Sequence, residues 1–139
     1  MSDAPLNARE LAIRSRAAVN AGDRQGWLDL FTPDAVVQDP IGPSHFDPEG
    51  KGHHGREGIA AFYDAVIAPN DLISFDLEQS YLCGDEVADV GIIRITLAGG
   101  THQAVVHGVY TYRTDGAGKL ASLRAFWEVD ALELVELTG

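Results

Sequence analysis

The sequence of 139 residues has little cysteine and no long apolar run, and both shortages limit what the protein can be. Its one cysteine, Cys83, has no partner for an internal disulfide or a cysteine-based metal site, which is typical of proteins in a reducing compartment. No run approaches the roughly twenty apolar residues that cross a bilayer, and no basic segment with an apolar stretch opens the chain. We therefore expect a soluble, cytoplasmic protein.

Basic side chains are also scarce. Lys and Arg number 10 against 21 Asp and Glu, which gives a formal net charge of −11 at pH 7. Such an acidic surface repels the phosphates of nucleic acids and of anionic lipids, so we expect neither as a partner. The length suits one domain with a hydrophobic core, and we expect residues 1–139 to form a single domain.

Apolar residues in the first half of the chain recur at helical spacing and predict three helices. The first covers residues 4–22, with Pro5 in its first turn and small residues on its inner face. The second covers residues 24–31, and the third covers residues 56–68, where Pro69 ends it. The first two helices should form a hairpin.

Beyond the third helix the apolar period changes to that of a strand. It predicts four long strands, over residues 73–78, 87–97, 101–113 and 119–127. The tail, residues 128–139, fits either a short helix or an extended arm. Helices followed by antiparallel strands are typical of an α+β fold with one sheet face covered. We expect a cone-shaped, curved antiparallel sheet wrapped on the three N-terminal helices and enclosing one apolar pocket.

Asp39 stands out because it follows a short β-branched run and directly precedes Pro40. A residue before proline is biased towards an extended backbone, so the strand should end at Asp39 with its carboxylate pointing off the strand end. Asp-Pro also opens ordinary turns. This stretch alone therefore leaves open whether the carboxylate caps its own turn or faces a pocket.

The loop over residues 40–55 is rich in proline and glycine and is predicted to be irregular. Its His45, Asp47, His53 and His54 raise the question of a metal site. Chelating side chains usually lie four apart on a helix or alternate along a strand, which adjacent histidines in a glycine-rich loop do not. We expect no metal and no cofactor, and we interpret the loop as a lid over the pocket.

Three strings carry a resemblance to a known family: VVQDPIG at residues 36–42, GREGIAAFYD at 55–64 and GAGKLASLRAFW at 116–127. In this order and spacing the chain resembles the Δ5-3-ketosteroid isomerases and their steroid-isomerase-like relatives, over residues 6–130. The resemblance implies the cone-shaped nuclear-transport-factor-2-like (SnoaL-like) fold. It also implies a proton transfer, in which an aspartate moves a proton from the carbon between a ketone and an alkene to the far end of the allylic system.

The resemblance implies roles for three residues. Asp39 matches the general base, Tyr63 matches a tyrosine that supports the oxyanion network in some members, and Trp127 matches an aromatic that lines the pocket near the base. Tyr63 and Trp127 also have an ordinary interpretation, because such aromatics on helices and strands are usually core residues. The sequence leaves both interpretations open.

Two positions depart from the family pattern. The first-helix tyrosine of the oxyanion hole falls on Ser15, and its protonated aspartic acid falls on Gly108. Loss of one oxyanion donor typically lowers turnover by about a hundred- to thousandfold. Tyr110 and Tyr112 share a strand face with Gly108 by alternation, so we include Tyr110 among the residues that could bring a phenol to the vacated position.

Other residues of the sheet have weaker claims. Tyr81 is a further candidate donor if its strand alternates inward, whereas His107 should face the opposite side of the sheet. On that opposite side, Val105 and Val109 lie among polar side chains, a mixture that suits a contact between two copies. Relatives are often homodimers through this face, and we expect the same here.

The sequence therefore predicts a steroid Δ-isomerase-like protein that transfers a proton on a steroid or a similar flat apolar ketone. Asp39 would be the general base, with a changed set of oxyanion donors. One alternative is a non-catalytic binder of an apolar small molecule. Another is a polyketide-cyclase-like enzyme on the same scaffold. Epoxide hydrolysis is less favoured, because the Asp-Arg-Asp arrangement of the relatives that perform it is not evident around the pocket positions.

Overall fold

The structure is a computed structural model and describes residues 4–137. Three helices, α1 to α3, cover Ala8–Ala21, Arg24–Leu28 and Gly55–Phe62, and α3 continues as a π-helical turn over Tyr63–Ile67. The strands β1 to β7 cover Phe31–Gln38, His53–His54, Leu72–Cys83, Glu86–Thr96, His102–Thr114, Leu120–Phe126 and Glu133–Glu136. This arrangement confirms the predicted α+β class.

The first helix begins later than the sequence predicts. Asn7 caps it, because its side-chain oxygen accepts the backbone N–H of Glu10 at 2.9 Å and the Glu10 carboxylate accepts the N–H of Asn7 at 3.0 Å. This reciprocal capping box stabilises a start at Ala8, and Pro5 lies before the helix. Gly22, with φ of 69°, ends the helix as expected.

The second helix is shorter than predicted, since it ends at Leu28 and Phe31 already belongs to β1. Phe31, Ala35 and Val37 are buried, so the strand pattern of this stretch prevails over a longer helix. Pro33 lies within a bulge of β1, where the pairing with β6 shifts between Phe31 and Val36. Proline is tolerated there because a bulge needs no ladder donor.

The sheet has the order β2-β1-β6-β5-β4-β3, and β7 pairs with the free part of β5 beyond β6. Most neighbours are antiparallel, as predicted, but β1 runs parallel to β6, so the sheet is mixed. The four long strands that the sequence predicts all pair antiparallel, and β1 adds the one parallel pairing among the described strands. Two parallel strands need a long connection between them, and the third helix and strands β3 to β5 provide it between β1 and β6.

Two segments outside the predicted strands also join the sheet. The loop expected to be irregular contains β2, whose His53 and His54 pair with Val37 and Val36. The tail forms an extended arm, β7, after a 3-10 turn over Val129–Ala131, so the strand alternative was the correct one. Both segments cover an otherwise open edge, which protects its backbone groups.

The core lies between the helices and the inner face of the sheet. Small residues on α1 allow this close approach, and Ala8, Leu11 and Ala12 have no exposed surface. Trp27 of α2 packs at the centre, with its ring 4.8 Å from Phe31 and 5.6 Å from Tyr63. Within residues 4–137, no helix is long and apolar enough to cross a membrane.

Leu120 provides a test of this core, because its side chain is completely buried where β6 begins. Leu120→Ala removes buried methyl groups and leaves a cavity, so we expect a loss of about 2–5 kcal/mol in the free energy of unfolding. Leu72→Ala is the matched control, since Leu72 is 50% exposed and should change stability by less than about 0.5 kcal/mol. Urea unfolding followed by circular dichroism measures both, and equal effects would contradict the assigned core.

Candidate active site

Asp39 follows β1 directly and continues its inward-facing alternation after Ala35 and Val37. Its side chain therefore points between the sheet and the helices. The residue keeps some accessible surface because it faces a cavity rather than close-packed core. The structure thus places the carboxylate inside the fold and not in a solvent-facing turn.

Two adjoining cavities meet at Asp39. The inner cavity, of about 80 Å³, lies under α1 and has mainly apolar walls, including Val19, Phe62, Ile73 and Leu123. The outer cavity, of about 390 Å³, lies between the loop over residues 40–55, the π-helical turn and the tail, with walls that include Phe46, Val66, Val129 and Leu132. The two share Asp39, Val66, Ile93 and Ile95. The carboxylate is therefore at the junction of a long, mostly apolar space.

The Asp39 carboxylate is held by Trp127, whose indole N–H donates to Oδ1 at 2.6 Å. Burial raises the pKa of Asp39 above its usual value, while the hydrogen bond from Trp127 and the charge of His53 oppose that rise. The result is a carboxyl group more basic than one in water. A base of this kind can take a proton from a weakly acidic carbon.

Tyr110 and Tyr112 both face the inner cavity from β5, as alternation predicts. Tyr110 donates its hydroxyl to the Val106 carbonyl at 3.2 Å. Burial raises the pKa of each phenol. At Tyr112 the charge of Arg16 opposes that rise. Both phenols are therefore protonated at neutral pH, and Tyr110 would have to leave the Val106 carbonyl to donate to a ligand.

Gly108 has no space for a side chain. A Cβ added there would lie 2.5 Å from the Phe126 carbonyl oxygen and 3.2 Å from the Tyr110 hydroxyl. The Tyr110 phenol therefore occupies the space next to the position from which the expected acid is missing. Gly108 itself does not line either cavity, and its predicted contact with a ligand stays a prediction.

Ser15 is buried and lines the inner cavity, where its hydroxyl oxygen accepts the indole N–H of Trp27 at 3.0 Å. Its own proton remains available to donate. Tyr63, by contrast, packs in the core against Trp27 and lines neither cavity that meets at Asp39. This position agrees with the ordinary interpretation of Tyr63, and a part in ligand binding stays a prediction for both residues.

Two sheet residues lie away from the cavities. Tyr81 is 52% exposed on β3, where its hydroxyl donates to Gln79 at 2.6 Å. His107 is exposed on the outer face of the sheet, 4.0 Å from the Glu133 carboxylate. The structure thus does not bring Tyr81 to the site, and His107 faces away as expected.

The polar residues of the lid loop stabilise the loop itself. The Asp47 carboxylate accepts the backbone N–H groups of Lys51 and Gly52, and the His54 ring contacts the Lys51 carbonyl at 2.6 Å. The rings of His45 and His53 pack on aromatic neighbours, at 4.8 and 4.9 Å respectively. Over residues 4–137, no three His, Cys, Asp or Glu side chains are grouped as a metal site would need.

Sequence reasoning missed a charged pair at the inner cavity. Arg16 of α1 lines that cavity and donates from Nη1 to Oδ2 of Asp89 at 2.6 Å. Asp89 lies on β4 directly opposite Tyr110 and is completely buried. The available signal was an acid in an inward position of an alternating apolar strand, between Val87 and Gly91.

The fold, with Asp39 facing a cavity between sheet and helices, is that of a class of small α+β proteins with a cone-shaped sheet. The SnoaL-like domain family matches residues 12–123, and the chain belongs to that family. The predicted family and fold are thereby confirmed.

Among curated proteins, the chain is similar to the steroid Δ-isomerase of Nocardioides simplex, with 29% identity over 110 residues, 79% of this chain and 80% of the relative. Among solved structures, it is similar to the Δ5-3-ketosteroid isomerase from Mycobacterium sp., with 37% identity, a TM-score of 0.86, and coverage of 92% and 98% of the two chains. It also resembles RV0760c from Mycobacterium tuberculosis in complex with estradiol-17β-hemisuccinate, with 35% identity, a TM-score of 0.83, and coverage of 91% and 97%.

A more distant structure shows the fold alone. The epoxide hydrolase/cyclase-like enzyme SalBIII is 19% identical, with a TM-score of 0.76 and coverage of 92% of this chain and 95% of that one. Relatives on this scaffold therefore include ketosteroid isomerases and a cyclase-like enzyme.

The raised pKa of Asp39 predicts a pH-dependent effect on stability. The folded protein binds this proton more tightly than the unfolded chain, so stability falls as pH rises from the usual aspartate range through the raised pKa. Asp39→Asn keeps an acceptor for Trp127 but cannot ionise. We therefore expect the variant to melt at a higher temperature than the wild type at neutral pH, with the difference shrinking in acid.

Asp115→Asn is the control with the opposite sign. Backbone N–H groups of Ala117 and Lys119 lower the pKa of Asp115, so its contribution is present at neutral pH and lost in acid. Thermal melts of the three proteins across the pH range test both signs. An Asp39→Asn protein less stable than the wild type at neutral pH would contradict the assigned burial of this carboxylate.

Proposed function

We propose that the protein is a steroid Δ-isomerase-like enzyme that transfers a proton on a steroid or a similar flat apolar ketone, with Asp39 as the general base. The observation that carries the proposal is a carboxylate with a raised pKa at the junction of two mainly apolar cavities. Relatives support it, since they include ketosteroid isomerases and a protein in complex with a steroid ester. A ligand of that shape would extend from the outer cavity past Asp39 into the inner one.

In the proposed reaction, Asp39 accepts a proton from the carbon between the ketone and the alkene. The C–H electrons move into the conjugated system, and the ketone oxygen becomes the oxygen of a dienolate. The protonated Asp39 then returns the same proton to the far carbon, which leaves the alkene conjugated with the ketone. Trp127 holds Oδ1, so that Oδ2 is the oxygen that moves the proton.

The oxygen of the dienolate needs hydrogen-bond donors that remain protonated. Tyr110 and Tyr112 line the inner cavity and have pKa values raised by burial, which keeps their phenols neutral. Ser15 adds a hydroxyl at the same cavity. These groups are weaker or differently placed donors than the tyrosine and aspartic acid that the resemblance implies, so slow turnover is expected.

A non-catalytic binder is the second candidate, and two observations favour it. Gly108 has no space for an acid, and the one hydroxyl proton of Tyr110 is engaged with the Val106 carbonyl. A cavity that keeps its shape but has lost its strongest donors suits a protein that holds a ligand without converting it. A polyketide-cyclase-like reaction is a third candidate, because the fold alone does not determine chemistry.

The catalytic proposal is tested with 5-androstene-3,17-dione, by following the absorbance of the conjugated enone. We expect measurable turnover by the wild type and a loss of at least about a hundredfold in Asp39→Asn, because the base is removed while its shape is kept. Asp85→Asn, in the exposed turn between β3 and β4, should match the wild type. An unchanged rate in Asp39→Asn would remove Asp39 from the mechanism.

The same proteins separate the binder from the enzyme. Quenching of Trp127 fluorescence by the steroid reports binding at the junction, and Trp127→Phe identifies the part of the signal that comes from Trp27. Tight binding without turnover of any tested ketone would support the binder and contradict the enzyme.

We propose further that the protein is a homodimer through the outer face of the sheet. Val109 pairs there with Phe126 and Val90, and Phe126 is 47% exposed. Val135 of β7 adds an apolar side chain that is 44% exposed, opposite Gln103. Exposed apolar residues that share one sheet face are typical of interfaces. Val105, expected at the contact, is already buried within one chain.

Sedimentation velocity at micromolar concentration tests this contact. The wild type should sediment as a dimer, and Phe126→Asp should be monomeric because it places a charge in the apolar interface. Ile13→Asp is the control, since Ile13 is a 54% exposed apolar residue on α1, away from the outer face of the sheet. A monomeric wild type would overturn the proposal.

A further inference from the structure

The inner cavity contains a charge that the proton transfer at Asp39 does not use. Among the described residues that line this cavity, Arg16 is the one cation. Its side chain is only 11% exposed, and its Nη1 donates to the completely buried Asp89 carboxylate. A guanidinium has five N–H donors, so one bond to Asp89 leaves others for a ligand.

The ion pair is poorly explained as a device for stability alone. Asp89 Oδ1 is buried and has no hydrogen-bond partner within residues 4–137. A buried pair gains little over apolar residues of the same size, because removing two charges from water offsets their attraction, and an unpaired carboxylate oxygen adds to the cost. A buried polar atom without a partner is rare in folded proteins, and a functional role is one recognised explanation for it.

The position of the pair favours anions over cations in the cavity. Arg16 lines the cavity, whereas Asp89 does not, so a ligand atom there is closer to the positive partner. The Arg16 guanidinium also lies 5.6 Å from the centre of the Tyr112 ring, which keeps it next to the Tyr112 phenol. The inner cavity thus combines apolar walls, neutral phenols and one cation held by a buried counter-ion.

We propose that Arg16, held in place by Asp89, receives the oxygen of the ligand at the inner end of the site and stabilises negative charge on it. The preferred ligand is then a flat apolar ring that carries an enolate or phenolate oxygen. Its catalytic meaning rests on the proposed function, in which Arg16 replaces the missing oxyanion donors. The preference of Arg16 for a negatively charged ligand oxygen does not require that the protein convert the ligand.

The test uses 4-nitrophenol, an aromatic ring whose phenolate absorbs visible light, as a probe of charge stabilisation in the cavity. All proteins carry Asp39→Asn, so that Asp39 cannot exchange a proton with the probe. The bound probe is titrated, and its apparent pKa is compared with that of free 4-nitrophenol. We expect the bound phenol to ionise more readily than the free one.

The decisive variant adds Arg16→Gln and Asp89→Asn together, which removes both charges and leaves no unpaired buried ion. The ratio of bound phenolate to bound phenol at a fixed pH should fall at least tenfold. Arg14→Gln is the matched control, because Arg14 is an exposed arginine on the same helix, and it should leave the ratio unchanged. An unchanged ratio in the double variant, or failure of the probe to bind the Asp39→Asn protein, would overturn the proposal.

Asp89→Asn alone provides an independent measurement if the double variant fails to fold. It removes the counter-ion and leaves Arg16 charged, so the bound probe should ionise at least as readily as with Asp89 present. Weaker ionisation would overturn the proposal. The probe undergoes no transfer of a proton to carbon, so this result is separate from the enone assay. A failure of the Arg16 proposal would leave the proposed role of Asp39 untouched, and the reverse also holds.

Discussion

A carboxylate in an apolar cavity must have a fixed hydrogen-bond partner, and in this structure that partner is the Trp127 indole, 2.6 Å from Asp39 Oδ1. Burial favours the protonated form of Asp39, and the indole N–H partly compensates the charged form. The balance leaves an acid that can both take and return a proton. The position of the carboxylate, and with it the proposed chemistry, depends on this one contact.

The contact exists because β1 and β6 are parallel. Gln38, the last residue of β1, pairs with Arg124 near the end of β6, so the residues that follow both strands leave the sheet at the same edge. Asp39 follows one strand and Trp127 the other. The backbone N–H of Ile41 also donates to the Ala125 carbonyl at 3.0 Å, which keeps the chain after Asp39 beside β6. An antiparallel partner for β1 would have placed these residues at opposite edges.

The polar groups of the inner cavity show how one fold can keep its shape while its donors change. Tyr110 fills the space beside Gly108, and Ser15 is engaged with the buried Trp27. Arg16 of α1 brings a cation to the same cavity and is paired with the buried Asp89 of β4. Asp39 thus lies among apolar walls, whereas Ser15 and Gly108 occupy the positions where the resemblance implies a tyrosine and an aspartic acid.

The sequence by itself determined the three helices, the four long strands and the acid that ends the first strand. Local patterns were sufficient for this, since a β-branched run before Asp39-Pro40, alternation along β5 and helical spacing before Pro69 are encoded within a few residues. Alternation also placed Tyr110 and Tyr112 on the inner face and His107 on the outer one. The motifs around Asp39 and Trp127 were enough to identify the family.

Only the tertiary structure decided which of these residues meet. Nothing local distinguishes Tyr63, which packs against Trp27, from an aromatic that lines the cavity, and nothing local shows that Arg16 reaches Asp89, 73 positions away. The parallel pairing of β1 with β6 and the return of the tail as β7 were likewise missed or left open. Short patterns determine which way a side chain points, but contacts between distant segments depend on strand order and on how closely the helices approach the sheet, which no short stretch of sequence contains.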